Sequence, residues 1–205
     1  MLDIRNLLRA AAGTAALLVS SACSQPDSKQ ESRAEVVVNE STFRCIRDMT
    51  KVRGFFVDNV LGNLAATVAV AQSATGGTYP PGSLVQVIPT TAMVKHQAGH
   101  NPETNDWEFI ELDVKADGAT ILGRGYAELN MRSGLNCFTC HKPAKATWDL
   151  ICDQAKDCLP IPLTPAMLRG LANTDPRCPK ITLPQEQVEA LAVLAARSSP
   201  PASEK

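Results

Sequence analysis

Trp107-Glu108-Phe109-Ile110-Glu111-Leu112-Asp113-Val114, closely followed by Asp117-Gly118, decides the fold class. Side chains alternate along a strand, so Trp107 and Phe109 share one face while Ile110, Leu112 and Val114 share the other. Both faces carry large apolar groups, which predicts a sheet covered on both sides. Asp117-Gly118 is a hairpin signal, and residues 119–129 return as the next strand. Upstream the same grammar begins at Tyr79. Pro80-Pro81-Gly82 is turn chemistry, residues 83–88 are β-rich up to Pro89, and residues 91–96 give a second short strand. Residues 101–106 make the turn into Trp107.

Helices are expected on either side of this block. Ser41 or Thr42 can cap a helix bearing Phe43, Ile46, Met49 and Val52, and Gly54 breaks it. A second helix is expected over residues 57–72, with Val57, Val60, Leu61, Leu64 and Val68 on one stripe, ending at Thr75-Gly76-Gly77. Residues 142–151 are expected to form a short helix. Thr164-Pro165 opens another, and residues 184–197 a last one with Val188, Leu191 and Leu194 on one face. The expectation is an α+β domain over residues 41–197: helical to 78, strands over 79–130, a cofactor segment over 131–151 and a disulfide-rich helical tail from 152 to 197. Residues 198–205 read as a disordered tail.

The chemistry is concentrated in Cys137-Phe138-Thr139-Cys140-His141. Two cysteines separated by two residues, with histidine directly after, form the attachment pattern of a c-type haem. One helical turn lets both sulfurs reach the two haem vinyl groups and carries His141 to the iron as axial ligand. A bare Cys-x-x-Cys would also suit a redox dithiol, half a zinc site or a disulfide. The histidine and an exported context favour haem. No second such motif, internal repeat, phosphate loop, nucleophile elbow or zinc helix is present, so a conventional hydrolase or transferase is not indicated.

Export is read from residues 1–22, where Arg5 and Arg9 precede an apolar run over residues 10–19 too short to span a bilayer. Ser20 and Ala22 satisfy an ordinary cleavage site that would release a soluble periplasmic protein, but Cys23 as the lipidated first residue of a membrane-anchored periplasmic lipoprotein is the preferred reading. Residues 23–40 then serve as a flexible tether. The 205-residue chain has formal net charge −1, which argues against nucleic acid or an anionic membrane surface as partner. Of seven cysteines, Cys23 belongs to the leader and Cys137 and Cys140 to haem. Cys45, Cys152, Cys158 and Cys178 remain for two disulfides in an oxidising compartment. Three connectivities are possible. Cys152–Cys158 with Cys45–Cys178 is preferred, because the first pair closes a short loop.

The order of these features resembles the cytochrome P-460 and beta-type cytochrome c-prime group. The resemblance covers residues 79–150 and rests on Pro81-Gly82-Ser83, Met93-Val94-Lys95, Glu103-Thr104-Asn105-Asp106-Trp107-Glu108-Phe109 and the haem motif. It implies an antiparallel sheet holding one c-type haem, often in a homodimer, with a five-coordinate or weakly capped iron. Hydroxylamine-oxidising members cross-link a strand lysine to the haem, and Val87 stands at the matching position here. Leu135 and Asn136 stand where those members place an acidic residue. The beta-type cytochrome c-prime is therefore the better match. It implies binding of a small ligand such as nitric oxide, or redox chemistry on small nitrogen compounds.

The sixth iron ligand separates these possibilities. Met93, Met131, Lys95, His96 and His100 are the candidates. Met131 lies only six residues before Cys137, Met93 suits a core position, Lys95 reads as a surface charge, and His96 and His100 as loop residues. That pattern leans toward an open or apolar face. The alternatives are a plain electron-transfer cytochrome working with a redox partner protein, and a non-haem exported binding protein whose Cys-x-x-Cys is a disulfide.

Overall fold

The computed structural model describes residues 34–152 and 161–198. The expected leader, most of the tether with Cys23, the Cys158 half of the local disulfide and the tail from residue 199 lie outside them. The fold is α+β, built on a six-stranded antiparallel sheet whose strand order follows the chain. The strands are β1 (Thr50–Val52), β2 (Phe55–Asn59), β3 (Ser83–Gln86), β4 (Thr91–Lys95), β5 (Trp107–Lys115) and β6 (Gly118–Gly125). Helix α1 (Leu64–Gln72) lies between β2 and β3, and α2 (Cys137–His141), α3 (Pro165–Asn173) and α4 (Gln185–Ser198) follow the sheet. Among the described residues no helix is long and apolar enough to cross a membrane.

Two expected helices are corrected. Residues 40–48 form two short 3-10 turns, Glu40–Thr42 and Ile46–Asp48, and Thr50–Val52 is a strand. The spacing of Phe43, Ile46, Met49 and Val52 suits a three-residue turn as well as an α-helix. The second expected helix, residues 57–72, keeps only its later part, α1 from Leu64: Phe55-Phe56-Val57 forms β2, because aromatic and β-branched side chains fit a pleated surface and β3 offers a ladder. Arg53 and Gly54 make the two-residue turn between β1 and β2, with Arg53 at a left-handed φ of 51°. The helix expected over residues 142–151 is also corrected: α2 takes the haem motif itself, and only the 3-10 turn Ala146–Trp148 follows. Asp149 and Leu150 have left-handed φ values of 49° and 63°, which no α-helix accommodates.

The alternation in β5 divides the core as its sequence requires. Trp107 and Phe109 lie in one buried cluster with Val57, Val85, Met93, Phe138, Leu150 and Ile151. Ile110 and Leu112 lie in another with Val36, Val38, Phe43, Leu84 and Val94. Val57, Val85, Met93 and Phe109 are directly paired from strand to strand, so they form one row across the first face. The chain after the haem motif folds back onto that face beside the loop after α1. There the Gly77 amide donates to Thr147 O at 2.8 Å. At Gly76, whose φ is +83°, an added Cβ would fall 2.0 Å from Thr147 O. Glycine is therefore required where the two loops touch.

A third cluster gathers Cys45, Ile46, Phe56, Ala172 and Cys178. Cys45 and Cys178 are bridged, 133 residues apart in sequence with Cα atoms 4.8 Å apart. Buried Asp175 accepts from the Ile46 amide at 2.9 Å and from Arg177, tying the same two regions by hydrogen bonds. Closing so long a loop removes much unfolded-chain entropy. Replacing Cys45 and Cys178 together by alanine is expected to cost about 2–5 kcal/mol, read as a lower urea midpoint. Gly76→Ala is expected to cost more than about 1 kcal/mol, because alanine fits neither the φ nor the space. A Gly76→Ala midpoint equal to the parent's would contradict the close approach.

Candidate functional site

The haem motif is held on the first sheet face by three independent contacts. Asn136 caps α2: its side-chain oxygen accepts from the Thr139 amide at 2.8 Å, and its amide nitrogen donates to Ala127 O at 2.9 Å and Leu129 O at 3.2 Å. Phe138 is buried, with its ring centroid 6.4 Å from that of Phe109. The His141 ring lies 5.4 Å from the same Phe109 ring. A helix of five residues has too few internal hydrogen bonds to hold itself together, so these outside contacts set its position.

His141 has its ring oriented by the backbone. Its Nδ1 is 2.8 Å from Leu150 O. A carbonyl only accepts, so Nδ1 carries the proton and Nε2 is left with a bare lone pair. Burial also pulls the His141 pKa below its ordinary value, which favours the neutral, ligating form. This is the arrangement a metal-ligating histidine uses, with one nitrogen donated to a carbonyl and the other free for the metal.

Cys137 and Cys140 are both free, and both are half-buried. Burial pushes the Cys137 thiol up to about 11, with Glu111 adding to the effect. A thiol so rarely ionised is a poor disulfide-exchange nucleophile. Cys152, by contrast, is disulfide-bonded. Among the described residues no group of three or more His, Cys, Asp or Glu side chains is placed to hold a metal ion. Two free thiols and one oriented imidazole on a single turn, against an apolar wall that includes Phe109, Met93 and Leu129, fit a covalently attached haem in their donor chemistry.

The sixth-ligand candidates separate by sheet face. Met93 is buried on the Phe109 side, paired directly with Phe109. Val87, where the cross-linking lysine would stand, is partly buried against the same cluster. His96 lies on the opposite face, where its Nε2 is 2.8 Å from Glu108 Oε2, and Glu108 is also bound by Arg124. His100 stacks on His96 at 4.3 Å and meets the Tyr126 hydroxyl. The sheet thus separates both histidines from α2. Met131 sits in the exposed turn before the motif, its carbonyl accepting from Gly134 N at 2.8 Å.

Lys95 is no surface charge. Its Nζ lies 2.8 Å from both carboxylate oxygens of Asp149, and the two side chains are only 6 % and 5 % exposed. Sequence reading missed this pair, together with the Leu150 carbonyl and the Phe109 ring. Lysine and aspartate 54 residues apart carry no local signal, and every residue has a carbonyl. No family model, curated protein or solved structure matches the chain.

A titration checks the orientation of His141. The folded chain binds its proton less readily than the unfolded chain, so stability is full above about pH 6.5 and falls as pH drops toward the folded-state value. Glu108 and Asp175, whose burial is outweighed by their hydrogen-bonded partners, lose their contributions only in the lower carboxylate range. In haem-free protein, His141→Gln should flatten the fall of the urea midpoint that begins below about pH 6.5 and leave the acid limb in place. An unaltered profile would mean that the ring is not held neutral.

Proposed function

We propose that this chain is an exported monohaem c-type cytochrome, similar to the beta-type cytochromes c-prime. In this reading its iron binds a small ligand such as nitric oxide or acts in redox chemistry on small nitrogen compounds. One observation carries the proposal. On a single turn bearing two free cysteines, His141 gives Nδ1 to Leu150 O and keeps Nε2 available. Cys137 and Cys140 are the covalent anchors, each thiol adding its sulfur and hydrogen across one vinyl group. His141 is the axial base. Bound there, a haem c supplies an iron that exchanges one electron and accepts a small ligand.

Several features support this assignment. The buried wall of Phe109, Phe138, Leu129 and Met93 excludes water, which favours a neutral ligand over an ionic one. The Cys45–Cys178 bridge suits an oxidising compartment, and the leader pattern of residues 1–22 suits the periplasm, with a lipid on Cys23 as the proposed anchor. Val87 in place of a lysine argues against the cross-linked haem of hydroxylamine oxidation. A second reading, a plain electron carrier with Met93 as sixth ligand, is favoured by one contact. Met93 is the only one of the methionine and histidine candidates buried in the same cluster as Phe138.

Spectroscopy of the protein made with a haem-attachment system separates these readings. Haem absorbance should survive denaturation and acid extraction, and should be lost when Cys137 and Cys140 are both replaced by alanine. The ferrous spectrum should change on adding carbon monoxide or nitric oxide. A spectrum indifferent to both gases in the parent but responsive in Met93→Ala would establish the electron-carrier reading instead. Absence of any covalent haem would reject both.

A further inference from the structure

We propose that Asp149, clamped by Lys95 and Trp107, is a positioning residue for the axial imidazole. The proposal deepens the cytochrome reading and rests on it. Asp149 is immobilised at every polar group the chain offers. Its two carboxylate oxygens take the Lys95 ammonium at 2.8 Å each, and Oδ2 also accepts from the Tyr79 amide at 2.9 Å. Its own carbonyl accepts from the Trp107 indole Nε1 at 2.7 Å. Its amide donates to Ala146 O at 3.2 Å, and the Ile151 amide closes the turn on Trp148 O at 2.8 Å. Lys95 in turn lies over the Trp107 ring at 5.2 Å and donates to Asn105 O.

The next residue in the chain is Leu150, whose carbonyl receives the His141 Nδ1 proton. Two successive peptides are therefore fixed: the Asp149–Leu150 peptide by the indole on its carbonyl, and the Leu150–Ile151 peptide by its amide on Trp148 O, which leaves its carbonyl facing the imidazole. Both residues hold left-handed φ values without being glycine, a conformation that persists only where the surroundings over-determine it. A surface turn with the same hydrogen bonds would use glycine or asparagine and leave lysine in water. Here an ammonium and a carboxylate are both desolvated, beneath a turn whose Leu150 carbonyl meets the His141 ring. The strength of the Nδ1–H···O bond sets how strongly Nε2 donates to a metal. Asp149 acts on His141 through that bond.

Two variants of the haem-loaded protein test this. Trp107→Phe keeps the ring and removes the indole donor, and Asp149→Asn keeps the shape and removes the charge. Arg124→Lys, on the opposite sheet face, serves as a control for general loosening. The readouts are the midpoint reduction potential and the iron–histidine stretching frequency of the ferrous protein. Both test variants should raise the potential and lower the stretching frequency, while the control leaves both at the parent values. Parent values in Trp107→Phe and Asp149→Asn would overturn the proposal, as would equal shifts in Arg124→Lys. Failure of the cytochrome reading shows separately, as a parent protein without covalent haem or without a histidine–iron stretch.

Discussion

Phe109 is the contact on which the rest of the site depends. Its ring meets His141 on one side and Phe138 on another, and its strand pairs it with Met93 and, through that residue, with Val85 and Val57. The sheet can be built without α2, but a five-residue helix has no stable position without the sheet. Order therefore flows in one direction, from the strand row to Phe109 and from there to the turn bearing Cys137, Cys140 and His141. Asn136 and Leu150 then remove the remaining freedom, one at the start of the turn and one at the ring it ends on.

The two faces of the sheet solve different problems. The first carries the apolar wall around Phe109, a buried hydrogen-bonded set of Asn59, Thr67 and Ser83 under α1, and the Lys95–Asp149 ion pair, which serves a loop rather than the sheet. On the second, Glu108 brings a charge into the interior of β5. Burial opposes that charge, yet hydrogen bonds from His96 and Arg124 hold the Glu108 carboxyl below its ordinary range. Arg124 also donates to Val38 O at 3.1 Å, and Gln97 to Ala34 O at 2.7 Å, so the same polar network holds down the chain that enters the domain.

The sheet from residue 83 onward was legible because two signals coincide there: alternation in Trp107–Lys115, and turn residues at Pro80-Pro81-Gly82 and Asp117-Gly118. The segment before it was not. Phe43, Ile46, Met49 and Val52 repeat every three residues, which suits 3-10 turns and helices alike, and Val57 belongs to the helical stripe and the strand with equal right. A sheet edge decided between them, and an edge has no local sequence signature. At the site, the thiols and imidazole were legible because their spacing is chemical. The group orienting the imidazole was not, because it is a main-chain oxygen whose position follows from a lysine 55 residues upstream of Leu150. Lys95 reads as surface until Asp149 is known to lie beside it.

The bridge between Cys45 and Cys178 has a mechanical consequence. Cys45 precedes the first strand and Cys178 follows α3, so the whole sheet and the haem-motif turn lie within one covalent ring. β1 is an edge strand of only three residues, the element most readily peeled away by tension on the chain ahead of it. With the bridge closed, a pull between residue 34 and residue 198 runs along the backbone to one sulfur, crosses to the other and leaves. The backbone of the strands carries none of that load, which falls instead on the contacts that hold residues 34–44 to the sheet.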